Sequence, residues 1–264
     1  MKKYITILKN ALSTSFEYRA QLTGIVLQEF FSFAGIFLLW LFIYRTNPEI
    51  AGYDFNQTIN YYLFIPFIGV LTKVTIAEHL GKDIKDGDIS SALLKPYNVG
   101  ISFIYKDIGK KINWLLLISP LYVLIVFVLY KKSLLLISLN SLIPLGIILI
   151  FALLMNFMLD ILISWLAFFV DDVWSFKHFK RIAVLVFGGV TFPFEFVPEK
   201  FRWLFDVLPF KFLYYIPNSY LIGSRTIESL LPDIFLALIW TLVFIIIGRF
   251  LWKVGTKKYG AFGR

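Results

Sequence analysis

The sequence predicts an all-α polytopic membrane protein, and three observations carry that expectation. About 59% of the 264 residues are hydrophobic, only 16% are charged, and the mean hydropathy is +0.77. A soluble domain is about half apolar and a quarter charged, so these figures exclude a soluble enzyme and a disordered chain. Uncharged apolar runs approach or exceed the ~20 residues that carry a helix across hydrocarbon. Within a bilayer each such run must be helical, because only a helix satisfies its backbone donors and acceptors inside one segment. Cysteine is absent, which removes disulfides, thiolate nucleophiles and cysteine-based metal sites.

Six transmembrane helices are predicted at 22–43, 59–79, 113–130, 142–170, 182–197 and 229–252, bounded by proline, glycine and charge. Of the 26 Lys and Arg, seven fall in the alternate loops: Arg45, Lys131, Lys132, Lys200, Arg202, Lys211 and Arg225. The other 19 gather in 1–21, 80–112, 171–181 and 249–264 and at Lys73. Positive charge is retained on the cytoplasmic side, so both termini are predicted to be cytoplasmic. The net charge of +9 therefore reflects basic loops and lipid headgroups rather than nucleic acid.

Ahead of the first span, Tyr4, Leu8, Leu12 and Phe16 recur every four residues, with Thr6, Asn10, Ser13 and Glu17 opposite. This spacing predicts an amphipathic interfacial helix over 1–21, with Lys2, Lys3 and Lys9 offered to anionic headgroups. In the 80–112 loop Asp88-Ile89-Ser90-Ser91-Ala92-Leu93-Leu94-Lys95-Pro96 predicts a short helix, with Asp88 as its cap and Pro96 as its stop. Ile84, Ile89, Leu93 and Leu94 are its apolar residues, and they require a surface to cover them, either in this chain or in a partner.

The region 182–228 is predicted to be a broken fifth element followed by short outer-leaflet helices. Gly188-Gly189, Pro193, Pro198, Pro209 and Pro217 forbid one long helix. Phe201, Trp203, Phe205, Phe210, Phe212, Tyr214, Tyr215 and Tyr220 suit headgroup depth on the outer side, and a re-entrant hairpin from that side is an alternative.

No P-loop, nucleophile elbow, paired-histidine zinc motif or dinucleotide fingerprint is present in the sequence. Glu29 and Asp160 are among the few ionisable residues inside spans, and each is either a functional polar site or a group satisfied at a helix interface. Asp171 and Asp172 fall at the mouth of the fourth span. His178, among Lys177, Lys180 and Arg181, reads as part of a basic rim facing headgroups.

The order of these features resembles the permeases of type-2 ATP-binding cassette (ABC) exporters. Gly87 to Pro96 is similar to that family's cytoplasmic loop motif, a glycine, a branched aliphatic residue, a leucine pair, a basic residue and proline. Gly188-Gly189-Val190-Thr191-Phe192-Pro193, Phe196-Val197-Pro198, Leu208-Pro209-Phe210, Pro217 and Leu221-Ile222-Gly223 resemble its outer-leaflet signature. Lys258-Tyr259-Gly260, with Gly263, is similar to its C-terminal ending. Within the family the likeness is to a bacterial subfamily known as a domain of unknown function. The 44–58 and 131–141 loops are too short for a large extracellular domain.

The resemblance implies a single permease domain over 1–264 with a cytoplasmic coupling helix. Lys82, Asp83, Ile84, Gly87, Asp88, Ile89, Leu93, Leu94, Lys95 and Pro96 would then form the ATPase-coupling interface. Gly188, Gly189, Pro193, Pro198 and Pro209 would form an outer gate. It implies ATP and Mg in a partner ATPase, with no cofactor and no catalysis in this chain. It also implies a homodimer or a heterodimer with a sibling permease, in the bacterial plasma or inner membrane. The cargo would be hydrophobic or amphipathic, such as a drug, lipid or peptide. Two alternatives remain: an ion-coupled secondary transporter or channel using Glu29 and Asp160, and a membrane enzyme built on Asp171, Asp172 and His178.

Overall fold

Helices form the regular elements of the computed structural model, which describes residues 2–17, 19–74, 80–81, 99–132, 134, 139–170 and 172–259. In chain order the first elements are α1 (Lys2–Glu17), α2 (Arg19–Thr46), α3 (Phe55–Thr72), α4 (Val99–Lys131) and α5 (Leu142–Leu166). They are followed by α6 (Trp174–Phe187), α7 (Glu199–Val207), α8 (Tyr215–Leu221) and α9 (Leu230–Tyr259). Short 3₁₀ turns at Phe194–Phe196, Pro209–Leu213 and Ile227–Ser229 join the last four.

Among the described residues four helices are long and apolar enough to cross a membrane: Val26–Thr46, Ile104–Lys131, Leu142–Leu166 and Ile227–Lys257. The predicted second span, 59–79, corresponds to α3, which ends earlier, at Thr72, and residues 75–79 lie outside the described part. Its 18 residues give a rise of about 27 Å. The helix is polar at its start because it is walled in by other helices rather than by lipid. Thr58, Asn60 and Tyr61 are completely buried. Asp54 caps it, accepting from the Gln57 N–H at 2.7 Å, while the Gln57 side chain accepts from the Asp54 N–H at 2.9 Å. The predicted fifth span, 182–197, is not one helix. Its helical part is α6, which begins earlier and stops at Phe187.

The bundle has two ends. One carries Thr46, Leu142 and Leu230, and the other, the basic end, carries Thr72, Leu166 and Lys253. The antiparallel pair α5 and α9 is packed tightly near the basic end. A Cβ at Gly248 would sit 2.9 Å from the Trp165 ring, and one at Gly255 would sit 2.5 Å from Phe168. Trp165 and Phe168 both reach Trp252, at 5.4 and 5.9 Å between ring centroids. Small residues at such a seam let helices approach where no hydrophobic effect drives them together.

The N-terminal helix packs on protein along part of its length. It runs parallel to the first half of α4, with Tyr4 stacked on Tyr105 at 5.3 Å. The Asn113 amide donates to the Ala11 and Leu12 carbonyls at 3.3 and 3.0 Å. A Cβ at Gly109 would lie 2.8 Å from the Ala11 Cβ, so glycine sets the spacing. The apolar stripe that a lipid surface could have covered is covered in part by protein, because α4 extends well before the predicted start at residue 113.

Candidate functional site

Beyond α6 the chain folds back on itself, and the sequence explains each break. Gly188 ends α6, its N–H donating to the Val184 carbonyl at 2.9 Å, and Gly189 follows at φ +80°, a conformation L side chains avoid. Both glycines are buried against other elements. Tyr215 N–H donates to the Gly188 carbonyl at 2.9 Å, and the Tyr61 hydroxyl of α3 donates to the Gly189 carbonyl. The Tyr62 hydroxyl donates to the Thr191 carbonyl at 2.8 Å.

Pro193 precedes the 3₁₀ turn, Pro198 precedes α7, and Pro209 opens the next 3₁₀ turn, so each proline sits where a missing N–H does no harm. Phe194 lies flat on Tyr215 with centroids 4.0 Å apart, and Phe205 is wedged against Phe187 and Phe194 at 5.1 Å each. Glu195 accepts from the Tyr215 hydroxyl at 2.8 Å. Burial, and then the Glu195 charge, push the hydroxyl of Tyr53 in the α2–α3 turn well up. The Asn218 amide donates to the Tyr61 carbonyl at 2.9 Å. Arg225 grips Asp233 at 2.8 and 2.7 Å, and the Tyr220 hydroxyl donates to the same carboxylate at 2.9 Å. The predicted outer-gate residues thus fall in one connected segment, with Gly188, Gly189, Pro193 and Pro209 buried and Pro198 exposed.

At the basic end a cavity of about 590 Å³ opens between α3, α5, α6 and the segment after it. Lys73, Lys177, His178, Lys180 and Arg181 line it, together with Asn156 and Asp160. Asp160 is 5% exposed and takes an ion pair from Lys180 at 2.5 Å. The Asp160 carboxylate thus has a partner across a helix interface, a lysine of the predicted basic rim. That rim lines the cavity, with Arg181 still exposed. Positions 177, 180, 181 and 184 fall on one face of α6, while Phe176, Phe179 and Ile182 point outward and are exposed. Among the described residues Lys73, Lys177 and Arg181 make no ion pair.

Glu29 lines a different and much smaller cavity of about 30 Å³ with Ser32, Tyr62, Pro66 and Tyr122. Glu29 and Asp160 are not brought together. His178 packs on Trp174 at 3.9 Å, and Asp172 accepts from the Trp174 N–H at 2.9 Å, which starts α6. Asp171 lies outside the described residues, as do Lys82, Asp83, Ile84, Gly87, Asp88, Ile89, Leu93, Leu94, Lys95 and Pro96 of the predicted coupling interface.

The arrangement is that of a multi-pass helical membrane protein, with a charged cavity at one end and a broken, aromatic-packed segment leading from it. The chain belongs to the ABC-2 family transporter proteins, whose family model matches residues 30–263. In that family the permease is a membrane component and ATP is hydrolysed in partner subunits. No curated protein and no solved structure matches the chain.

Proposed function

We propose that the chain is the permease subunit of an ABC exporter that moves a hydrophobic or amphipathic substrate outward, driven by a separate ATP-binding subunit. The carrying observation is the family match, which runs from Phe30 to Gly263 and so includes both motif regions. In this reading the basic end faces the cytoplasm of a bacterial plasma or inner membrane, in keeping with the distribution of Lys and Arg. Residues 82–95 carry the coupling helix, with Ile89, Leu93 and Leu94 seated in a groove of the ATPase. Two copies, or this chain and a sibling permease, complete one pathway.

The segment 188–225 acts as the outer gate and enters the membrane from the outer side. Two contacts support that depth. The Trp240 indole, well inside α9, donates to the Val207 carbonyl at 3.0 Å. A Cβ on Gly69, near the basic end of α3, would meet the Tyr214 ring at 3.1 Å. Glu29 and Asp160, the coupling groups of the ion-coupled alternative, line separate cavities and Asp160 is paired, which favours the exporter reading.

The test is affinity purification of the tagged permease from its native membrane in mild detergent, with ATPase activity measured on the eluate. The expected result is a co-eluting ATP-binding subunit that is lost with Ile89→Asp while the permease stays in the membrane. A permease that purifies alone and still moves solute along an ion gradient would overturn the reading.

A further inference from the structure

The cavity at the basic end has an order that follows the chain. Along α6 its lining passes from Lys177, Lys180 and Arg181 to Val184 and Leu185, and Val190 and Tyr214 lie beyond the glycine turn. One end of the cavity is cationic and the other apolar. The only carboxylate among its described lining residues, Asp160, already holds Lys180. Lys73, Lys177 and Arg181 face a shared space and make no ion pair among the described residues. Cations gathered in a cleft with low-dielectric walls focus their field and concentrate anions there. A guanidinium beside two ammonium groups suits a carboxylate or phosphate, which it can engage through paired N–H donors. At about 590 Å³ the space is within the ~300–1,000 Å³ typical of small-ligand sites.

We infer that this cavity binds an anionic amphiphile, with its carboxylate or phosphate held by Lys73, Lys177 and Arg181 and its hydrocarbon against Val184, Leu185, Val190 and Tyr214. The inference deepens the exporter reading by naming the substrate class, and it rests on that reading only for the step after binding. The binding itself requires no ATPase, so its failure is distinguishable from failure of the purification test above.

The experiment uses the full chain in nanodiscs of neutral phosphatidylcholine, with pyrenedodecanoic acid as the probe and tryptophan-to-pyrene energy transfer as the readout. Saturable binding of the acid, at least tenfold tighter than that of its uncharged methyl ester, is expected. Lys177→Gln with Arg181→Gln should weaken the acid by about tenfold per charge removed, the order expected for a partly screened charge a few ångströms away, and leave the ester unchanged. Lys131→Gln with Lys132→Gln, at the opposite end, should change neither. Because Lys177 and Arg181 hold no ion pair among the described residues, the double change breaks none there, and the comparison of acid with ester needs no variant at all. Displacement of the probe by phosphatidylglycerol in the disc identifies a bilayer lipid as the source of the ligand, and lack of it identifies a free amphiphile; both support the site. Equal binding of acid and ester overturns it. So does an acid affinity untouched by the double change, or displacement by inorganic phosphate at concentrations equal to the probe.

Discussion

Gly189 offers the sharpest test of how the segment after α6 is held. Replacing it with Ala adds one methyl group at φ +80°, where an L residue is disfavoured by roughly 1–2 kcal/mol. The new Cβ would stand 2.7 Å from the Tyr215 Cβ and 2.7 Å from the Tyr61 hydroxyl oxygen. Neither neighbour can swing clear. The first is fixed to the backbone of α8, and the second is the donor to the Gly189 carbonyl. Overpacking of this kind costs about 1–3 kcal/mol, and a displaced buried hydrogen bond about 1 kcal/mol more. Because the terms overlap, the expected loss is about 3–5 kcal/mol, or a fall in melting temperature on the order of 10 °C. The assay is thermal unfolding of the detergent-purified protein, followed by intrinsic fluorescence and by size-exclusion recovery. Gly146→Ala is the control, since nothing lies within 4 Å of its added Cβ, and it should be neutral or slightly stabilising. If Gly189→Ala melts with the wild type, the glycine is not required by the turn and the close approach of α3, α6 and α8 is misassigned.

The Asp160–Lys180 pair predicts a strongly non-additive cycle: Asp160→Leu or Lys180→Met alone should destabilise by about 2–4 kcal/mol, and the double change Asp160→Leu with Lys180→Met should recover most of it. Chemical denaturation of the four proteins measures the coupling, and additive losses would mean that the pair is not formed. Gly109→Val should force α1 away from α4, because the Ala11 Cβ already stands 2.8 Å from where a Cβ would lie. The expected signature is faster limited proteolysis within 2–17, with the melting temperature of the rest little changed. Proteolysis at the wild-type rate would refute the packing of α1.

The helical class and the four long apolar helices were legible because chain length and hydropathy suffice where every crossing must be helical. The breaks near Gly188-Gly189, Pro193, Pro198 and Pro209 were legible for a local reason, since those residues dictate backbone geometry wherever they stand. The start of α4 at Val99 was not, because Lys106, Asp107, Lys110 and Lys111 read as a loop by hydropathy alone. In the fold Lys111 pairs with Asp107 at 3.1 Å and also donates to the Leu71 carbonyl at 3.1 Å. Those charges are held within a helix that packs α1. The cavity was only half legible. Its basic residues stood together in sequence, yet the face they occupy depends on Asp160, twenty positions earlier, and no local pattern encodes that partner.

The pairing of Asp160 with Lys180 bears on how the chain enters the membrane during synthesis. Either charge alone opposes insertion of its helix, by up to roughly 2.5–3.5 kcal/mol were it at the bilayer centre and by less toward the basic end. They are twenty residues apart, so at about 5–20 residues per second the second emerges from the ribosome within seconds of the first. α5 and α6 therefore suit delivery to the bilayer as one hairpin, with the two charges neutralised between them and Phe176, Phe179 and Ile182 presented to lipid. α6, too short and too basic to partition alone, is in this sense a passenger of α5.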